Sequence, residues 1–213
     1  MRSKQIIFIP LVVLLFTSCA LGHRHNYHDT IANIAASGNI TVALATHDQR
    51  QYILSGQSAP EYVGMRRGGF GNPFNITTVS GKPLAEDITT SICNSLSAKG
   101  YKAVAVSVVH SDTRDKVIEK MKQSESKRLL LVTLNEWQSD TSINTGLSYN
   151  VRLEVLDSNG HKLAEKIIKG DDNFRSSVWA WDPLAEGREA IHKAFKEKLE
   201  ALLNSGEVLK TLQ

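Results

Sequence analysis

One segment restricts the fold of this chain more than any other, a pair of long stretches joined by a turn. In residues 145–156, apolar side chains alternate with polar ones, so that one face packs and the other contacts water. Residues 162–169 continue the pattern after a turn that contains Asn159-Gly160, a dipeptide typical of tight hairpins. The pattern predicts an antiparallel hairpin in a sheet that is covered on one face.

Helical and extended stretches elsewhere complete the predicted domain. Three stretches have apolar residues at helical spacing: residues 83–99, 113–123 and 183–203. Apolar and β-branched runs that predict strands are residues 40–46, 51–54, 62–65, 74–79, 101–109 and 129–134. This order predicts a single α+β domain with a mostly antiparallel sheet packed against two or three helices.

The N-terminal segment, residues 1–18, has the pattern of a signal peptide. Arg2 and Lys4 precede an apolar run of eleven residues, 6–16. As a helix this run would span about 16 Å, too short for a hydrocarbon core of about 30 Å. Without residues 1–18, the 25 basic residues become 23 against 22 acidic ones, a net charge of +1. This near-neutral balance argues against a nucleic-acid-binding domain, which usually carries a concentrated basic face.

The end of this segment resembles the lipobox of bacterial lipoproteins. Phe16-Thr17-Ser18 places one large apolar residue and two small ones before Cys19, and the resemblance implies that Cys19 is lipidated. The alternative is an ordinary signal peptide followed by an accidental cysteine. Ala20 stands where lipoproteins retained at the inner membrane have Asp. The resemblance therefore implies a lipid anchor in the outer membrane, with the protein on the periplasmic side.

These features divide the chain into three parts. We expect a signal peptide in residues 1–18, an anchor cysteine with a tether in residues 19–38, and one α+β domain in residues 39–213. Lipidation of Cys19 would leave Cys93 as the one remaining thiol, so that no intramolecular disulfide is expected even in an oxidising compartment.

The tether carries a His-x-His-x-x-His pattern, formed by His23, His25 and His28. Imidazoles at this spacing could bind zinc or copper. However, no acidic or thiol ligand is fixed beside them. We therefore favour a solvated tether, with no metal and no cofactor.

Two segments are candidates for binding a partner. The glycine-rich loop with Arg66, Arg67 and Phe70 matches neither the dinucleotide-binding nor the P-loop pattern, and is either a tight bulge needed by the fold or a binding loop. Trp179 and Trp181 stand at alternate positions before the last helix. They either pack on that helix or form an exposed aromatic platform. These five residues are the predicted partner-binding set.

Catalytic residues are not expected. His110-Ser111-Asp112 contains the residue types of a catalytic triad, but adjacent residues rarely orient one another in that way, and a strand end followed by a helix cap explains all three. The alternative is a periplasmic cell-wall hydrolase, which would require His47, His110 or His161 to converge with carboxylates in a cleft. A peptidoglycan-binding module is a further alternative.

The order of features also resembles the YajG-like group of small bacterial envelope lipoproteins. The shared features are the lipobox, a strand that runs into Asp48-Gln49-Arg50, a helix closed by Lys99-Gly100-Tyr101, a hairpin turn at Asn159-Gly160 and a last helix that contains Ala190. Residues 64–73 have no counterpart. The resemblance implies fold and location but no catalytic residues. The sequence thus predicts a lipid-anchored protein with a non-enzymatic binding or envelope-assembly role, whose partner is an envelope protein, peptidoglycan or a second copy of the chain.

Overall fold

The computed structural model describes residues 23–68, 70–175 and 183–212, which form eight strands and five helices in one α+β domain. The strands are β1 (Arg24–His25), β2 (Thr41–Asp48), β3 (Tyr62–Arg67), β4 (Pro73–Thr78), β5 (Lys102–Ala105), β6 (Arg128–Thr141), β7 (Thr145–Asp157) and β8 (Lys162–Phe174). The helices are α1 (Gln51–Leu54), α2 (Leu84–Ser97), α3 (Arg114–Lys122), α4 (Pro183–Leu203) and α5 (Gly206–Leu212).

The long strand β6 organises a single curled sheet. Its first half pairs in parallel with β2, so that Val42 lies opposite Arg128. Its second half pairs in parallel with β3, where Gly64 lies opposite Ser139. On its other side, β6 pairs with antiparallel β7 along nearly its whole length. Thus β2 and β3 follow each other along one side of β6, and β5, β4, β1 and β8 extend the sheet outward.

The sheet is mixed, and the prediction of a mostly antiparallel sheet is wrong. Among the described strands, four pairings are parallel and three are antiparallel. The physical reason is that α2 precedes β5 and α3 precedes β6, and helical crossovers of this kind return the chain to the same end of the sheet. The predicted hairpin is confirmed as β7 and β8, and the single α+β domain is also confirmed.

Helices cover both faces of the central strands. On one face, Val42 and Leu44 of β2 belong to the main apolar core, together with residues of α2 and α4. On the other face, Ala43 and Ala45 pack in a smaller cluster with α3 residues such as Met121. Burying an aliphatic side chain of this size contributes roughly 1.5–3 kcal/mol relative to leaving it exposed. The alternation along β2 therefore commits this strand to the centre of the sheet.

The helices begin where the sequence indicates. α2 follows Pro83, and α3 is capped by Thr113, whose side chain accepts a hydrogen bond from the Lys116 backbone N–H. Residues 51–54, predicted as a strand, instead form the one-turn helix α1. The backbone N–H of Ile53 donates to the Arg50 carbonyl at 2.9 Å, so that the chain turns directly after β2.

Residues 23–38 pack against the domain, which differs from the tether expected in residues 19–38. β1 pairs with β4, and the side chains of Tyr27, Ala32 and Ile34 are buried. The backbone N–H of Ala32 donates to Ser95 Oγ of α2 at 2.9 Å. Small alanines at alternate positions give this segment a weak hydrophobic pattern, which the sequence analysis did not recognise as packed.

A buried ion pair fixes the chain where it leaves β2. Arg50 is fully buried, and its Nε and Nη2 donate to the two carboxylate oxygens of Asp48 at 2.9 and 2.7 Å. Its Nη1 donates to the Tyr62 carbonyl at 2.7 Å, and Nη2 also reaches the Pro60 carbonyl at 3.0 Å. The charge is therefore neutralised by a bidentate partner, and the remaining donors hold the start of β3.

Replacing Asp48 with Asn should lower the free energy of unfolding by about 3–5 kcal/mol, because Arg50 would be left as an uncompensated buried charge. Urea-induced unfolding followed by circular dichroism measures the loss. Asp140→Asn removes the carboxylate of a solvent-exposed pair with Arg67 and should cost much less. Equal losses in the two variants would contradict the role assigned to the buried pair.

The approach of β3 to β6 leaves no room for a side chain at Gly64. A Cβ atom at this position would lie 2.3 Å from the Ser139 carbonyl oxygen and 2.8 Å from the Ser139 nitrogen. Both contacts are to backbone, which cannot move aside without breaking the pairing of the two strands. Glycine is therefore required here.

Gly64→Ala should destabilise the domain by roughly 1–3 kcal/mol, since the strands must separate to accept the methyl group. The midpoint of urea unfolding reports this change. Gly206→Ala is the matched control, because no atom lies within 4 Å of its Cβ position. That variant should be unchanged or slightly more stable, since alanine favours helix. A Gly64→Ala protein as stable as the wild type would show that β3 and β6 are farther apart.

Candidate functional site

The hairpin of β3 and β4 extends past one end of the sheet. The backbone N–H of Gly68 donates to the Asn72 carbonyl at 2.9 Å and closes the turn. Gly71 has φ +80°, a conformation that glycine adopts without strain. The turn between β6 and β7 extends at the same end, because Arg66 of β3 lies opposite Thr141, the last residue of β6. Two turns therefore project side by side.

Large apolar side chains are exposed on these two turns. Phe70 is 97% exposed, Ile143 is 82% exposed and Phe74 is 50% exposed. With Arg66 and Arg67 at the base of the hairpin, these residues form what we call the tip surface. Single exposed apolar residues are normal in soluble proteins, but a group at one end of the sheet indicates a contact surface.

The arginines of the tip surface are held in place by neighbouring side chains. Arg67 donates to both carboxylate oxygens of Asp140, from Nε at 3.2 Å and from Nη2 at 2.7 Å. These hydrogen bonds and the charge of Asp140 raise the pKa of Arg67. Arg66 is half-buried and forms a hydrogen bond with the ring of His23. Residues 62–85 and 141–153 contain no Asp or Glu, so that the two projecting turns bring no negative charge of their own.

A small cavity lies behind Arg66. It is lined by His23, His25, Arg66, Ile76, Thr141 and Arg188, and its volume of about 10 Å³ is about the least that holds one water molecule. The Nε2 atom of His25 lies 3.3 Å from Ser139 Oγ, while its Nδ1 atom has no hydrogen-bond partner among the described residues. Burial, assisted by the charges of Arg188 and His23, lowers the pKa of His25 to about 4. His25 is therefore neutral at pH 7.

The structure brings three of the predicted site residues together. Arg66, Arg67 and Phe70 share the tip surface, whereas Cys19, Trp179 and Trp181 lie outside the described residues. Sequence reasoning missed Phe74 and Ile143. Ile143 had a recognisable signal, since it is a single large apolar residue between Ser142 and Asn144 in a turn.

The three histidines of residues 23–28 have different hydrogen-bond partners, although His23 and His25 line the same small cavity. His23 contacts Arg66, His25 contacts Ser139, and His28 Nε2 lies 2.9 Å from Asp29 Oδ1. Within the described part of the chain, no group of three or more His, Cys, Asp or Glu residues could hold a metal ion. The three histidines therefore do not form one metal-binding group in the described part of the chain.

The histidines required by the hydrolase alternative do not converge. Gln49 connects two of them, since its Nε2 lies 2.8 Å from His47 Nε2 and donates to the His110 carbonyl at 3.0 Å. His161 lies at the turn between β7 and β8, 3.2 Å from Asp157. Among the described residues, no hydrogen bond joins these three histidines to one shared carboxylate.

The predicted explanation for His110-Ser111-Asp112 is only partly right, because β5 ends at Ala105 and the side chain that caps α3 is that of Thr113. Asp112 Oδ2 accepts a hydrogen bond from the Val109 backbone N–H at 3.1 Å, and the carboxylate is bound by Lys116 and Lys120. These lysines hold the pKa of Asp112 well below its usual range. The carboxylate stabilises the start of α3.

β5 and the residues after it form a second exposed apolar stretch. The sequence predicts a strand over residues 101–109, but only Lys102–Ala105 pairs, and among the described strands its partner is β2. Val104 and Val109 are exposed, and a cleft of about 390 Å³ separates this stretch from α2. This surface lies on the flank of the sheet, away from the tip surface.

The fold is similar to that of several solved bacterial proteins. Protein XCC0632 from Xanthomonas campestris has 13% identity and a TM-score of 0.49, over 88% of this chain and 95% of that one. PelC from Paraburkholderia phytofirmans, a dodecamer, has 13% identity and a TM-score of 0.40, over 83% and 96%. An uncharacterised lipoprotein B from Nitrosomonas europaea has 12% identity and a TM-score of 0.37, over 78% and 81%.

The similarity at these identities and TM-scores gives no residue roles. No protein-family model and no curated protein matches the chain. Within residues 23–68, 70–175 and 183–212, no helix is long and apolar enough to cross a membrane.

Acidification should destabilise the domain through His25. The pKa of His25 is about 4 in the folded protein, whereas an ordinary histidine has a pKa of 6.5. The unfolded chain therefore binds more protons than the folded protein between these pH values. The contribution of neutral His25 to the free energy of unfolding is fully present above pH 6.5. It is lost as the pH falls towards 4, by roughly 3 kcal/mol in total.

Urea unfolding at a series of pH values measures how the free energy of unfolding changes with pH. His25→Gln should flatten the dependence of stability on pH between pH 4 and 6.5, whatever its effect on absolute stability. A wild-type slope that persists in the His25 variant would assign the effect to another group.

Proposed function

We propose that this chain is a lipid-anchored periplasmic protein of the bacterial outer membrane, with a non-enzymatic binding or envelope-assembly role. Lipidation of Cys19 and a relationship to the YajG-like lipoproteins are parts of this proposal. Its sequence support is the lipobox-like Phe16-Thr17-Ser18-Cys19 after a short apolar run.

The direction of β1 is the observation that carries the proposal. β1 runs parallel to β4, with Arg24 opposite Thr77, and the Thr77 backbone N–H donates to the His23 carbonyl at 3.2 Å. Since β4 runs away from the hairpin turn, β1 does so too, and His23 lies on the side of β1 that is nearer that turn. Cys19 stands four residues earlier, a distance of at most about 14 Å. An anchor at Cys19 is therefore tied closely to the end of the domain that carries the tip surface.

The tip surface is the proposed binding surface. Phe70 projects fully into solvent, and Arg66 and Arg67 provide positive charge at its base. Trp179 and Trp181 stay in the predicted binding set on sequence grounds alone, and the tip surface as defined does not include them. Binding energy at such surfaces usually comes from a few aromatic and arginine side chains.

Cys19→Ala should move the protein from the membrane fraction to the soluble periplasmic fraction, because acyl chains can no longer be attached. Metabolic labelling with a palmitate analogue should mark the wild type and fail to mark this variant. Cys93→Ala is the matched control and should keep both the label and the membrane location, since Cys93 is a half-buried residue of α2.

A Cys19→Ala protein that still carries the acyl label would contradict lipidation at this residue. Loss of the label with full retention in the membrane after salt and alkaline washes would contradict anchoring through Cys19. Co-sedimentation of the purified protein with peptidoglycan would favour the alternative of a cell-wall-binding module.

A further inference from the structure

We propose that the tip surface docks on the phospholipid bilayer that holds the anchor, with Phe70 and Ile143 in the headgroup region and Arg66 and Arg67 near lipid phosphates. This inference rests on the lipidation of Cys19 proposed above. It names the partner of the tip surface as the membrane and gives the domain a fixed orientation.

The length of chain between Cys19 and His23 limits how far the anchor can lie from the hairpin turn. From Thr77, whose N–H holds the His23 carbonyl, β4 extends four residues back to Pro73, about 13 Å. The hairpin turn lies beyond Pro73 in the same direction. Cys19 lies at most about 14 Å from His23. Even if residues 19–22 were fully extended, Cys19 would therefore lie no farther than the level of the turn, so that an anchor inside a bilayer would bring the turn to its surface.

The tip surface combines exposed apolar side chains with positive charge. Phe70 and Ile143 project from the two turns of the tip surface, where their side chains are 97% and 82% exposed. Aromatic and aliphatic side chains on a peripheral protein are stabilised when they enter the boundary between headgroups and acyl chains. Arg66 and Arg67 follow directly below, where anionic headgroups attract positive charge. The nearby carboxylate of Asp140 pairs with Arg67, so that this pair is neutral overall and Arg66 supplies the net positive charge.

The tip surface protrudes from the domain. A protein partner usually inserts its anchor side chains into pockets at the centre of an interface. The cavity beside the tip surface measures about 10 Å³ and is too small for a side chain. Phe70 and Ile143 are themselves the protruding groups, and they stand on glycine-rich or short turns. This geometry fits insertion into a deformable lipid surface.

Depth-dependent fluorescence quenching tests the orientation. The full chain with its lipid anchor is reconstituted in vesicles of phosphatidylethanolamine and phosphatidylglycerol that contain doxyl-labelled lipid. An environment-sensitive fluorophore is attached to Phe70→Cys or Ile143→Cys in a Cys93→Ala background. Ser158→Cys is the matched control, because residue 158 is exposed beyond Asp157, which pairs with the first residue of β6 at the opposite end of the sheet.

Labels at residues 70 and 143 should be quenched about two-fold more strongly than the label at residue 158, with emission shifted to shorter wavelength. Replacing phosphatidylglycerol with phosphatidylcholine should weaken the quenching, because anionic headgroups attract the positive charge of the tip surface. Two independent labelled positions keep the test valid if one variant folds poorly.

The possible failures can be distinguished by flotation of the same vesicles. Protein that does not float with the vesicles has no working anchor, which would overturn both the proposed function and the docking. Protein that floats but shows equal quenching at residues 70, 143 and 158 would overturn the docking and leave the anchor intact. A photocrosslinker at residue 70 that captures a protein in intact cells, combined with unquenched labels, would assign the tip surface to a protein partner instead.

Discussion

The Asp48–Arg50 pair is the interaction on which the arrangement of the sheet depends. β2 and β3 both pair with the same side of β6, so that the chain must leave β2, turn through α1 and rejoin β6 farther along. Arg50 makes this link rigid, because one guanidinium binds the carboxylate at the end of β2 and the carbonyls of Pro60 and Tyr62 before and within β3. Burial alone would lower the pKa of Arg50, but the hydrogen bonds and charge of Asp48 outweigh it and raise the pKa. The position of the β3–β4 hairpin, and with it the tip surface, follows from this link.

Local sequence patterns predicted the elements better than their pairing. The β7–β8 hairpin was predictable because its strands are adjacent in the chain and an Asn-Gly turn joins them. The parallel pairing of Val42 with Arg128 joins positions 86 residues apart, and periodicity shows only that such residues are buried, not which strand lies beside them. Residues 23–38 were misread for a related reason. Their buried alanines carry little hydrophobic signal, and their partners on α2 and near the end of α4 are distant in sequence.

The candidate site was predictable only in part. Arg66, Arg67 and Phe70 stood out because basic and aromatic residues in a glycine-rich loop are unusual, and the structure places them together. Ile143 belongs to a different turn, and only the pairing of β3 with β6 brings the two turns to one end of the sheet. The contact between His23 and Arg66 was likewise hidden, since it depends on the parallel register of β1 and β4.

A short connection makes orientation a property of the sheet itself. If Cys19 is anchored, its four-residue distance from His23 leaves the domain little freedom to rotate on the membrane. β6 then points its last residue towards the bilayer, and its first residue, paired with Asp157, lies about 40 Å away along the strand. The exposed flank of β5 stands beside β2, next to the first half of β6, and so faces sideways and away from the lipid. If the tip surface docks on the membrane as proposed, the flank of β5 and the turn of β7 and β8 are surfaces left open to other partners.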